Sequence, residues 1–98
     1  MNIQEIARVP WWHDSQEATN SLVRIVDEFL AAQPTGSRFT TSALLRGIGA
    51  TPDIAKPILD RLGKARRQGH DDLTGLWEEN PNQKHFGHPT ITWVGGPL

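Results

Sequence analysis

Apolar residues recur at helical spacing twice along this chain and at strand spacing once. Leu22, Ile25, Val26, Phe29 and Leu30 form one stripe three to four residues apart, the signature of a helix with a single buried face. Asp14 or Ser15 is placed to cap it, and Glu17 falls in its first turn, where a carboxylate is favoured. The helix is predicted to run to about Gln33, where Pro34 and Gly36 stop it. Ile54, Ile58, Leu62 and Ala65, with Ala55 and Leu59 beside them, form the second stripe. A cap at Thr51 and a proline at the first helical position, Pro52, predict a helix over 51–68 with Gly69 as its C′ residue. Pro57 then sits in the second turn, where a proline removes a backbone bond. A start at Ala55 would instead put Pro57 in the first turn. Thr90-Ile91-Thr92-Trp93-Val94 alternates and is β-branched, so it reads as a strand.

The segments between these carry shorter signals. Ser37 to Thr40 reads as a small strand. Thr40 or Thr41 caps a short helix, TSALLRGIG, with Ala43, Leu44, Leu45 and Ile48 inward and with Gly47 and Gly49 weakening and ending it. Only Ala50 separates that helix from Thr51. Residues 1–13 read as an arm, with a helical turn at Ile3, Ile6 and Val9 ended by Pro10. Trp11 and Trp12 follow. Two adjacent exposed tryptophans would be adhesive, so they are expected to dock on the chain's own core, the alternative being a dimer contact. After Gly69, Leu73, Gly75 and Trp77 alternate as a strand would. Asn80-Pro81-Asn82 is a turn signal, and the ten residues NPNQKHFGHP are expected to form a long loop leading into Thr90–Val94.

Ninety-eight residues make one domain, here residues 14–95 with a tail at 96–98. The four tryptophans are expected to supply much of its core. The absence of cysteine excludes disulfides, zinc–thiolate sites and thiol nucleophiles, and it suits a reducing, cytoplasmic compartment. Apolar runs are far short of the roughly 20 residues that span a bilayer, so no membrane association is expected. The net charge of −1 is unevenly spread. Residues 35–70 hold seven Lys or Arg against two Asp, a local +5, whereas the segments before and after are each −3. That pattern predicts one basic face.

The order helix, short strand, helix, turn, helix, hairpin, together with the run IAKPILDRLGKARRQG, resembles the winged helix-turn-helix superfamily. The run is loosely similar to bacterial regulators of the MarR and ArsR kind. In that likeness Ile54, then Leu59 with Leu62, form the core segment, Lys64 to Arg67 the basic stretch and Gly69 the closing glycine. The resemblance implies an α+β fold, a three-helix winged helix-turn-helix with a C-terminal two-stranded β-hairpin wing. It implies a small DNA-binding transcriptional regulator whose helix 51–68 enters the major groove of duplex DNA. On that reading Thr51, Asp53, Lys56, Asp60 and Arg61 are the candidates to reach base edges. Lys64, Arg66, Arg67 and Arg46 meet phosphates, which position the protein without reading sequence. Asn82, Gln83, Lys84 and His85 would touch DNA from the wing. The wing carries fewer cations than those of such regulators, and their long dimerisation helices have no counterpart here. A homodimer would use the N-terminal arm and first helix.

Other chemistry is thinly represented. His85 and His88 are three apart, with His70, Asp71 and Asp72 as further candidate ligands, but in a loop that spacing is weak and no metal or cofactor is expected. There is no nucleophile elbow or P-loop, and no enzymatic activity is expected. The competing reading is a winged helix that docks on a protein, such as a small phage or mobile-element regulator or inhibitor, with Trp11 and Trp12 as partner-binding residues.

Overall fold

The computed structural model describes residues 1–96, apart from the side chain of His85; of the 96–98 tail, positions 97 and 98 lie outside the described residues. The described chain is a small α+β fold of four α-helices and a three-stranded antiparallel sheet. No helix among the described residues is long and apolar enough to cross a membrane.

The N-terminal segment is more than an arm. Helix α1, Ile3–Arg8, opens with a reciprocal capping box in which the Asn2 side chain accepts from the Glu5 N–H and the Glu5 carboxylate accepts from the Asn2 N–H. It buries Ile6 in the core and packs on helices α2, Gln16–Ala31, and α4, Ala55–Arg67. Ser15 caps α2 by accepting from the Ala18 N–H at 3.2 Å, one of the two expected caps. The apolar stripe of α2 faces the core as its period requires, with Leu22, Val26 and Leu30 fully buried and Ile25 and Phe29 partly so. Helix α2 ends two residues before Gln33, at Ala31.

Strand β1, Arg38–Thr40, runs directly into helix α3, Thr41–Gly47, whose N-cap is Thr40. Gly47 also leaves room for a neighbour: a Cβ there would lie 2.3 Å from the Phe29 ring, which would have to move. At Gly49, φ is +85° and the N–H bonds back to Arg46, while the Ala50 N–H reaches the Leu45 carbonyl at 2.9 Å. This Schellman geometry needs a residue that tolerates the left-handed region and turns the chain sharply from α3 towards α4.

Helix α4 starts later than the cap signal at Thr51 implied, at Ala55, the alternative start. Residues 51–54 form a turn closed by the Ile54 N–H on the Thr51 carbonyl at 3.0 Å, and the Thr51 hydroxyl donates to the Asp53 carboxylate. Its N-cap is Ile54, without a side-chain cap bond. Pro57 is therefore the third helical residue, where an N–H has no intrahelical partner to lose, and the expected interior-proline cost does not arise. At its other end the Gly69 and His70 N–H groups bond back to Arg66 and Ala65, as the C′ glycine predicted.

Past Gly69 the chain departs from the expected pattern in two places. Asp71–Leu73 is a single 3-10 turn, and strand β2 begins only at Trp77, extending to His85. Half of the ten-residue loop is instead paired in the ladder. Strand β3, His88–Val94, continues the ladder to Lys84↔Pro89 and His85↔His88, with residues 81–83 bulged out and a two-residue turn at Phe86-Gly87. The sheet order is β1-β3-β2, with Phe39 opposite Trp93 and Trp93 opposite Trp77. Trp93 is buried at the centre of this register, and its indole N–H donates to the Thr41 hydroxyl at 3.1 Å. Of the four tryptophans only this one is fully buried; Trp77 is half-buried, and Trp11 and Trp12 are exposed.

Candidate nucleic-acid interface

Helix α4 buries Ile58, Leu62 and Ala65 and turns Lys56, Asp60, Gly63 and Arg67 the other way. Positions 56, 60, 63 and 67 are three or four apart, so they form one outward stripe. On the flank facing the sheet, Leu59 is 42% exposed. The hairpin lies beside that flank. Leu59 shares an open channel of about 710 Å³ with the start of α3 at Thr41 and Ser42 and with Phe86, Pro89 and Ile91 on the hairpin. Arg46 is one turn along α3 from Ser42 and is exposed.

Arg61, expected to read a base edge, points inward and is only 2% exposed. It follows Ile58 by three residues and precedes Ala65 by four, so it occupies the buried stripe itself. One guanidinium nitrogen donates to the Pro10 carbonyl at 2.8 Å and the Val9 carbonyl at 3.4 Å; another donates to the Thr19 hydroxyl at 3.1 Å and the Ser15 carbonyl at 3.4 Å. Burial lowers its pKa and Asp14 opposes that shift, while an arginine stays cationic in either case. Arg61 thus ties the segment after α1 and the start of α2 to α4, and in this position it is unable to reach a groove.

The remaining cations divide in two. Arg66 lies over the Trp77 ring at 4.7 Å and pairs with Glu79 at 3.7 Å, which binds α4 to the base of the hairpin. Burial and the neighbouring Arg67 lower its pKa, and Glu79 opposes them. Lys56 pairs with Asp60 across one turn at 3.2 Å, and Arg38 with Glu78 across the sheet at 2.6 Å. The pairing of Asp60 with Lys56 offsets the repulsion its carboxylate would exert on a nearby phosphate. Arg46, Lys64 and Arg67, with Lys84 on the hairpin, have no ion-pair partner among the described residues. The basic middle of the chain is therefore a smaller exposed positive surface than its residue count implied.

Trp11 and Trp12 stay out of the core. Trp11 is 38% and Trp12 70% exposed, and their rings meet edge to face at 6.2 Å. Trp11 lines a small cleft with Asp60, Gly63 and Arg67 of α4 and with Ile91 and Trp93. With Leu59 and Phe86, Trp11 makes three exposed large apolar side chains along the clefts beside α4, and Trp12 stands against Trp11. No sequence periodicity marks this grouping, because its members come from the arm, α4 and the hairpin. His85 pairs with His88 in the ladder, but its side chain lies outside the described residues. The His70 ring meets the Asn20 side chain at 3.1 Å, and no group of three or more His, Asp or Glu among the described residues converges as a metal site. Comparison with protein-family models, with curated proteins and with solved structures finds no match to this chain.

Proposed function

We propose that the chain is a winged helix-turn-helix domain that binds duplex DNA, with α4 as its recognition helix and the β2–β3 hairpin as its wing, and that it serves as a small transcriptional regulator. The element order and the β1-β3-β2 sheet support the fold assignment. The observation that carries the function is the outward stripe of α4, exposed at Lys56 and Arg67, together with four cations, Arg46, Lys64, Arg67 and Lys84, none of which is spent on an ion pair among the described residues. On this reading Lys56 and Asp60, which pair with each other across one turn, and Thr51 before the helix would turn to base edges. The unpaired cations are positioned for phosphates. Arg61 and Arg66 hold the scaffold instead.

Four phosphate contacts predict a log–log salt slope of roughly −3.6. Fluorescence anisotropy with a labelled random-sequence duplex, at salt from about 50 to 200 mM, reads that slope directly. A steep linear dependence that flattens in a variant with Arg67 and Lys64 both changed to Ala supports the reading. No binding at low salt refutes it.

A second reading has its own observation. Trp11, Leu59 and Phe86 line adjoining clefts beside α4, with Trp12 against Trp11, and exposed apolar groupings of this kind mark protein contacts. On that reading the domain docks on a protein, or on a second copy through the arm and first helix, and DNA binding is absent.

A further inference from the structure

The tip of the hairpin breaks the rules of its own turn. His85 and His88 pair, so Phe86 and Gly87 are the two turn residues, with φ of +50° and +80°. Positive φ at both positions defines the turn that favours Asn-Gly. Phe86 is the one non-glycine residue in that region among the described residues, and it is 89% exposed. A large aromatic in the left-handed region is unfavourable in conformation, and so large an exposed apolar surface adds a solvation cost. Such local conflict points to function.

We propose that Phe86 is an apolar wedge that enters the minor groove of the bound duplex, partly unstacks a base step and bends the DNA. This inference rests on the DNA-binding reading above. With α4 in the major groove, the hairpin beside it faces the adjoining backbone and minor groove. Lys84, two residues before Phe86, is exposed and free of ion pairs among the described residues, so it is placed to hold a phosphate next to the wedge. Pro89 and Ile91 continue an apolar surface from the tip towards Leu59. Sugar faces can rest on such a surface; a row of phosphates would not. A protein partner is the weaker assignment for Phe86, because anchors of protein interfaces sit near the centre of a flat patch, and this ring stands at the extremity of a hairpin. Apolar wedges of this kind bend DNA by about 20–90°, and flexible TA steps yield most easily.

The test uses the full chain and a 30-base-pair duplex holding a central TA step, with donor and acceptor dyes at its ends. Anisotropy reads affinity and energy transfer reads bending. The expected result is that the wild-type protein shortens the end-to-end distance and Phe86→Leu largely retains the effect. Phe86→Asn, which suits the turn and should keep the fold, binds up to about tenfold more weakly and leaves the duplex straight. If the wild type binds with a steep salt slope and no shortening, or if Phe86→Asn bends DNA as fully as the wild type, the wedge is refuted and the DNA-binding reading stands. If the wild type does not bind at low salt, both fall, and the face passes to a protein partner.

Discussion

Arg61→Met removes four hydrogen bonds while keeping a stem of similar length, so it isolates what the guanidinium contributes. Two of the four are short, to the Pro10 carbonyl at 2.8 Å and the Thr19 hydroxyl at 3.1 Å, and two are long at 3.4 Å. Bonds to a charged group contribute about 1.5–3 kcal/mol each when well formed. Pro10 itself is exposed, so water can replace part of the loss, and the lower end of that range applies to the two short bonds. The expected destabilisation is about 2–3 kcal/mol. For a domain of this size that is roughly 10–20 °C in Tm. Thermal unfolding followed by circular dichroism, with urea titration as a second measure, reads it. The segment from Val9 to Ser15 should loosen as well, visible as faster hydrogen exchange around Trp11 and Trp12. A Tm within about 2 °C of the wild type would refute the tie. A variant with unchanged Tm and relaxed DNA sequence preference would return Arg61 to base reading.

Other outcomes follow from the same geometry. Pro57→Ala should leave stability within about 0.5–1 kcal/mol, with any change towards lower stability from the freer unfolded chain; a gain near 3 kcal/mol in urea would show that Pro57 is strained in mid-helix. Trp93→Ala should cost about 3–5 kcal/mol, since it empties the sheet centre and leaves the Thr41 hydroxyl without its donor; loss of the folded thermal transition agrees, and a mild shift does not. Trp12→Ala should change Tm little because Trp12 is 70% exposed, so any loss of binding or self-association on that background is a contact effect. Arg67→Ala should weaken binding to all duplex sequences alike and flatten the salt slope by about one; a sequence-dependent loss would make Arg67 a base reader.

Periodicity carried the larger elements because burial of one face is a repeating requirement. The stripes on α2 and α4 and the alternation through Trp93 each follow from it. Termini were legible where a side chain or glycine closes them, as at Ser15, Thr40 and Gly69. They misled where two signals competed. Thr51 and Pro52 look like a helix start, yet the Thr51 hydroxyl is satisfied by Asp53 and the chain makes one more turn before Ala55. The long loop failed for a related reason: Asn80-Pro81-Asn82 signals a turn, but the sheet absorbs it as a bulge and places the true turn at Phe86-Gly87, where a phenylalanine gives no turn signal.

The site was less legible than the fold. Charge counting treated Arg61 and Arg66 as surface groups. The position of Arg61 on the apolar stripe was visible in the spacing, whereas the seat of Arg66 on Trp77 depends on how the hairpin folds back on α4. Gly47 reads as a helix breaker in sequence, and only the approach of Phe29 reveals its packing role. The apolar grouping of Trp11, Leu59 and Phe86 joins residues up to 75 positions apart, and nothing local announces it.

The most direct test of the central claim is where a duplex touches the protein. Backbone amide NMR spectra recorded as a random-sequence duplex is added at low salt give that map. The account predicts shifts confined to the outward stripe of α4 from Lys56 to Arg67, the start of α3 with Arg46, and the hairpin near Lys84 and Phe86, all reversed by added salt. Shifts centred on α1 and the outer face of α2, or an unchanged spectrum, would contradict it.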